Sequence, residues 1–187
     1  MVRVGRSVAM SVEQADTIAA HMKPGDSRDA FYVLRGTGMR PMEGFSMRWE
    51  FWNRDLRYYQ NPRGKTRASR RAVPMLGQSH DVLVRRHLEQ GSPVEGWIFP
   101  SRSKAGHICS IKTAFNRARK AAGLPSSMVL YTARHGMGTD LGAVVSLKEV
   151  MEVLGHTQAK TALGYQHPDV MGLQAKLAAA KTNGRVM

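Results

Sequence analysis

The chain has 187 residues, 28 of them lysine or arginine against 14 acidic, for a net charge of +14. A hydrophobic share of 42% supports one packed domain with short arms and excludes a disordered tail. One cysteine, Cys109, excludes a disulfide framework and a cysteine-built zinc site, and no apolar run nears the ~20 residues of a membrane span. The expected protein is soluble and cytoplasmic, without a signal peptide, and its expected partner is a polyanion, nucleic acid first.

Residues 1–10 read as an arm or linker remnant. Ser11 and Gln14 form a capping-box pair, which predicts a helix to about Met22, ended by Pro24 and Gly25. A second helix starts near Ser27 or Asp29, buries Ala30, Phe31, Val33 and Leu34, and breaks at Gly36 and Gly38. MRWEFW, DLRYYQ and RRAVPM then predict a three-stranded antiparallel sheet between residues 47 and 75. Its last connection, NPRGKTRASRR, reads as a solvated basic hairpin tip with Arg63, Lys65, Arg67, Arg70 and Arg71. Helix resumes at 77–90, WIFP is a brief extended piece, and 108–122 is a basic amphipathic helix stopped by Gly123 and Pro125. From Tyr131 the pattern is helical, at 131–142, 147–154, 158–164 and 169–181. The expected fold is mainly α with one small sheet.

Four stretches carry residues suited to phosphate chemistry: GTGMRPMEGFSMRW with Arg40 and Glu43, GKTRASRRAVPM with Lys65, YTARHGMGTDL with Arg134 and His135, and LGHTQAKTALGYQHP with His156 and Tyr165. Taken singly, each has an ordinary explanation. Arg40 could simply pair with Glu43. Lys65 sits in a charge run, which is usually a solvated face. His135 and His167 could be structural, His156 could follow a glycine-capped helix end, and Tyr165 could be a core aromatic.

In this order, the set resembles the tyrosine recombinase (phage integrase) family, whose pattern runs from TGLR-x-x-E through a hairpin lysine, H-x-x-R-H and LGH to T-x-x-x-Y-x-H. The likeness covers roughly residues 11–175. It implies the recombinase catalytic-domain fold over 11–181, a tail at 182–187, and absence from this chain of the N-terminal core-binding domain that closes around DNA. It implies Tyr165 as nucleophile and Arg40, Arg134 and His156 as phosphate binders. Glu43 would orient Arg40 or tie down a helix start, and His135 would support the site. Guanidinium groups match a phosphate with paired hydrogen bonds and keep their charge. Converging donors of this kind stabilise the charge that builds on a five-coordinate phosphorus. Lys65 suits a general acid at the leaving 5′-oxygen. The expected product is a 3′-phosphotyrosine whose bond energy allows rejoining without ATP. No cofactor is implied, and no H-E-x-x-H or D-x-D motif suggests a metal site.

Tyr131 stands where the family usually has the first histidine of H-x-x-R. A phenol can hydrogen-bond phosphate but is a poor base at neutral pH, so Lys65, His135 or water could move the proton instead. The expected partner is double-stranded DNA, gripped by Arg63, Arg67 and Arg70 on the hairpin and by Lys112, Arg117, Arg119 and Lys120 on the basic helix. The resemblance further implies a homotetramer on DNA. The last helix, with Leu173 and Leu177, could dock on a neighbour or pack on its own core, and monomer is expected without DNA. Two alternatives are a DNA-binding module of the same family that has lost catalysis and a type IB topoisomerase-like enzyme. LGH and the short His156-to-Tyr165 spacing favour the recombinase.

Overall fold

A computed structural model describes residues 9–62 and 70–155. The expected helices at 158–164 and 169–181 lie outside the described residues, as does the hairpin tip. Ser11 caps α1 (Val12–Ala20) as predicted: its side chain accepts from the Gln14 N–H while the Gln14 side chain accepts from the Ser11 N–H. The apolar face of this helix buries Ala15, Ile18 and Ala19.

Helix α2 (Asp26–Thr37) runs through the middle of the molecule and packs on α1, α4 (Gly77–Glu89), α5 (Lys112–Ala121) and α6 (Tyr131–Val144). Its fully buried Phe31 and Val33 belong to one continuous core with Phe45, Tyr59, Leu83, Phe99 and Phe115. Buried Asp29 at its N-terminal end accepts from Arg85 at 2.6 Å and from Arg86 at 2.9 Å. Arg86 also donates to the Ile98 carbonyl. A carboxylate out of water needs such partners, and here they join α2 to α4.

The small sheet has the order β1–β2–β3, antiparallel throughout: β1 (Trp52–Asn53), β2 (Tyr58–Gln60) and β3 (Ala72–Pro74). Its first strand is shorter than MRWEFW suggests. Met47 and Arg48 pair instead with the WIFP segment, through Ile98 N–H to Met47 C=O and the Arg48–Trp97 bridge. Trp49–Phe51 then turns as a 3-10 helix that buries the Trp49 ring, whose Nε1 donates to Gln90. The basic helix also starts later than its composition suggests, at Lys112. Before it, Ile108 bonds back to the Phe99 carbonyl, and that bond holds the chain extended.

Two further elements complete the frame of the site. A short helix, α3 (Pro41–Phe45), has Pro41 in its first turn and Glu43 folded back on the Arg40 N–H. Helix α7 (Leu147–Leu154) starts at a Ser146–Glu149 capping box and stops at Gly155, whose φ of 67° is left-handed. Inside α6, Gly136 touches the N-terminal segment so closely that an added Cβ would lie 2.1 Å from the Met10 carbonyl oxygen. No helix among the described residues is long and apolar enough to cross a membrane.

Candidate active site

The C-terminus of α7 is the focus of the site. The last carbonyls of an α-helix have no partner within the helix and carry its negative dipole end, so they attract cations. Three arginines far apart in sequence take three consecutive carbonyls. Arg71 Nε donates to Val153 O at 2.6 Å, Arg134 Nη2 to Leu154 O at 2.6 Å, and Arg40 Nη2 to Gly155 O at 3.4 Å. Gly155 immediately precedes His156. The start of the LGH turn is therefore clamped by the guanidiniums that surround it.

Arg134 lies on the first turns of α6 and is 2% exposed. Its Nη1 donates to Gly38 O at 2.5 Å, which ties the end of α2 to the end of α7. Gly38 has to be glycine for two reasons. Its φ is +64°, and an added Cβ would stand 2.5 Å from Leu154 Cδ2. Burial and the nearby Arg40 charge both push the Arg134 guanidinium below its ordinary range. The fold holds these like charges together against that opposition.

Arg40 is the outward member, with 42% of its side chain exposed. Glu43 sits beneath it, its Oε1 3.0 Å from Arg40 Nη1, its Oε2 accepting from the Arg40 N–H at 3.0 Å and from Arg71 Nη2 at 3.2 Å. Burial works to raise the Glu43 carboxyl, but the Arg71 charge and the hydrogen bonds from Arg40 and Arg71 outweigh it, leaving the group below its ordinary range. Two guanidiniums, those of Arg40 and Arg71, thus share one carboxylate.

Tyr131 is exposed at the start of α6, one turn from His135, and meets its ring edge-on at 5.0 Å. Burial, then the Arg134 charge, lowers the His135 pKa and favours its neutral form. The described residues therefore bring Arg40, Glu43, Arg134, Tyr131 and His135 into one region. Lys65, Arg63, Arg67, His156 and Tyr165 lie outside the described residues. Arg70 is exposed beside β3, and Lys112, Arg117 and Lys120 are exposed on α5. Arg119, on the same helix, is half-buried, and its Nη1 holds the carbonyls of Ser126 and Met128 at 2.9 and 3.0 Å. That side chain braces the loop after α5, unlike the exposed cations expected to grip DNA. Among the described residues no three His, Cys, Asp or Glu side chains gather as metal ligands.

Arg71 is the residue that a reading by composition passes over. It belongs to the basic run yet is 8% exposed. The signal was the strand alternation: Arg71, Val73 and Met75 point inward while Arg70, Ala72 and Pro74 point out.

The model of the phage integrase family matches residues 9–171. The chain belongs to the phage integrase family. This integrase-family chain is 30% identical over 134 residues, 66% of its length, to the prophage integrase IntF of Escherichia coli K12, and spans 27% of that protein. Among solved structures, the Tn1549 transposon integrase in complex with circular intermediate DNA superposes with a TM-score of 0.72 at 18% identity, over 92% of this chain and 67% of that one. XerA recombinase gives 0.72 at 18% identity, over 96% and 65%. A lambda integrase dimer bound to a COC′ core site gives 0.67 at 20% identity, over 85% and 47%. These likenesses establish the mainly helical, small-sheet fold of the integrase catalytic domain.

Proposed function

We propose that this chain is the catalytic domain of a site-specific DNA recombinase, which cuts and rejoins double-stranded DNA through Tyr165 without metal or ATP. The observation that carries the reading is the convergence of Arg40 and Arg134, one half-exposed and one buried, with Arg71 on the end of α7, where among the described residues one carboxylate, Glu43, is shared by Arg40 and Arg71. Such an excess of fixed positive charge suits an anion, and a phosphodiester approaching five-coordination gains more from it than the ground state does. DNA appears as the bound partner of the Tn1549 and lambda integrases, and the chain's own charge of +14 fits the same partner.

In this reading Arg40, lying outward, contacts a non-bridging phosphate oxygen, and Arg134 supplies charge from below. The Gly155 turn delivers His156 to the same phosphate. The Tyr165 hydroxyl passes its proton to water as its oxygen forms the new bond to phosphorus, the bond to the 5′-oxygen breaks, and that oxygen takes a proton from Lys65. Nearby positive charge lowers the cost of ionising the phenol. Tyr131, exposed beside Arg134, donates a hydrogen bond to the phosphate, a role that does not require it to act as a base.

The test uses a pool of nicked suicide duplexes of randomised sequence, in which the short cleaved fragment diffuses away and traps the covalent complex. The expected result is a protein–DNA adduct stable to denaturant. It is lost in Tyr165→Phe and reduced about 100-fold or more in Arg40→Ala and Arg134→Ala. DNA binding without any adduct would contradict the catalytic reading and leave a DNA-binding module. Relaxation of supercoiled plasmid without sequence preference would favour a topoisomerase.

A further inference from the structure

We propose that Arg71 is a positioning residue for strand cleavage, setting both Arg40 and the turn that leads to His156. The inference rests on the recombinase reading and deepens it at the same site.

Among the described residues the Arg71 guanidinium meets Val153 and Glu43, and both lead into the site. Its Nε takes Val153 O at 2.6 Å, two residues before Gly155, and its Nη2 takes Glu43 Oε2 at 3.2 Å. Glu43 in turn holds Arg40 by backbone and side chain. One planar guanidinium therefore joins β3, the base of α3 and the end of α7. The cation is not an obvious phosphate ligand itself: its side chain is 7% exposed and faces inward, whereas that of Arg40 is 42% exposed.

Arg71 also decides how Glu43 spends its charge. With Arg71 present, the carboxylate is divided between two guanidiniums. Without it, the same carboxylate pairs with Arg40 alone, which both neutralises the outward arginine and lets it swing. Loss of Arg71 also frees the Val153 carbonyl and loosens the end of α7. Displacing catalytic groups by about 1 Å typically costs ~100-fold in rate.

The experiment measures single-turnover cleavage of a nicked duplex, chosen from the randomised pool above, at saturating protein. It compares the wild type with Arg71→Ala, Arg71→Lys, Glu43→Gln, the Arg71→Ala/Glu43→Gln pair and Tyr165→Phe. Arg71→Ala should lower the maximal rate by about 100-fold and leave the half-saturating DNA concentration little changed. Arg71→Lys, which keeps the charge without the fork, should regain part of the rate and covers the case in which Arg71→Ala fails to fold. The double variant should lose much less than the product of the single losses, because both changes act on one arginine. A 5′-bridging phosphorothiolate, whose sulfur leaves without a general acid, should not restore the Arg71→Ala rate. Wild-type rates in a folded Arg71→Ala or Arg71→Lys, a defect confined to DNA affinity, or fully multiplicative losses would each overturn the positioning role. If those results accompany loss of the adduct in Tyr165→Phe, the recombinase reading stands and only the Arg71 inference falls. An adduct that persists in Tyr165→Phe overturns both.

Discussion

Replacing Gly38 by alanine tests the packing beneath the site with a built-in control. Gly38 and Gly123 both follow a helix and have nearly the same backbone, φ +64° and +68°, but only Gly38 is crowded: its added Cβ would lie 2.5 Å from Leu154 Cδ2 and 3.1 Å from Met137 Cγ, whereas Gly123 has nothing within 4 Å. Placing alanine in the left-handed region costs about 1–2 kcal/mol at either site. Overpacking adds about 1–3 kcal/mol at Gly38 alone. For a domain of this size each kcal/mol lowers Tm by about 2–4 °C. Gly38→Ala should therefore melt roughly 2–12 °C below Gly123→Ala in a calorimetric scan. Adding Leu154→Ala should be less damaging in the Gly38→Ala background than in the wild type, since it removes the atoms that clash. Cleavage should fall in Gly38→Ala as well, because the Gly38 carbonyl anchors Arg134. Equal melting of Gly38→Ala and Gly123→Ala would refute the close approach of α2 to α7 and the clamp built on it.

Glu43 has a folded pKa below its unfolded value, so it contributes stability above the ordinary glutamate range, and that contribution is lost as pH falls through the folded value. Melting curves across the acid range should show the wild type losing stability faster than Glu43→Gln, and parallel curves would contradict the pairing. On α5, Lys120→Ala should weaken DNA binding and reduce the slope of affinity against salt by about one ion. Arg119→Ala should instead lower Tm and leave the salt slope unchanged, because its guanidinium is committed to Ser126 and Met128. Reversed behaviour of these two variants would mean that the loop brace is absent in solution.

What the sequence makes legible is what depends on near neighbours. The Ser11–Gln14 box, the extent of the helix at 147–154 and the glycine stop before His156 all rest on contacts within a few residues. The grouping of Arg40, Glu43 and Arg134 was visible only through the family resemblance, and the structure gives its physical cause: three bare carbonyls at one helix end. Their use as anchors depends on residues separated by up to 115 positions, which no local pattern encodes. The segment from Met47 to Trp52 misleads because its partner, the WIFP stretch, lies far downstream, so a single hairpin pattern overextends the first strand. Arg71 was readable by its place in an alternating strand, yet the surrounding basic run masks that alternation. Helix α3 was signalled by Pro41 followed by Glu43, and is short enough to pass for a turn.

Peptide mapping of the trapped covalent complex puts the nucleophile to the test. Tryptic cleavage separates residues 161–176, which contain Tyr165, from residues 121–134, which contain Tyr131. A nucleotide mass on the 161–176 peptide is the predicted result, while the same mass on the 121–134 peptide, or on neither, would contradict the central assignment.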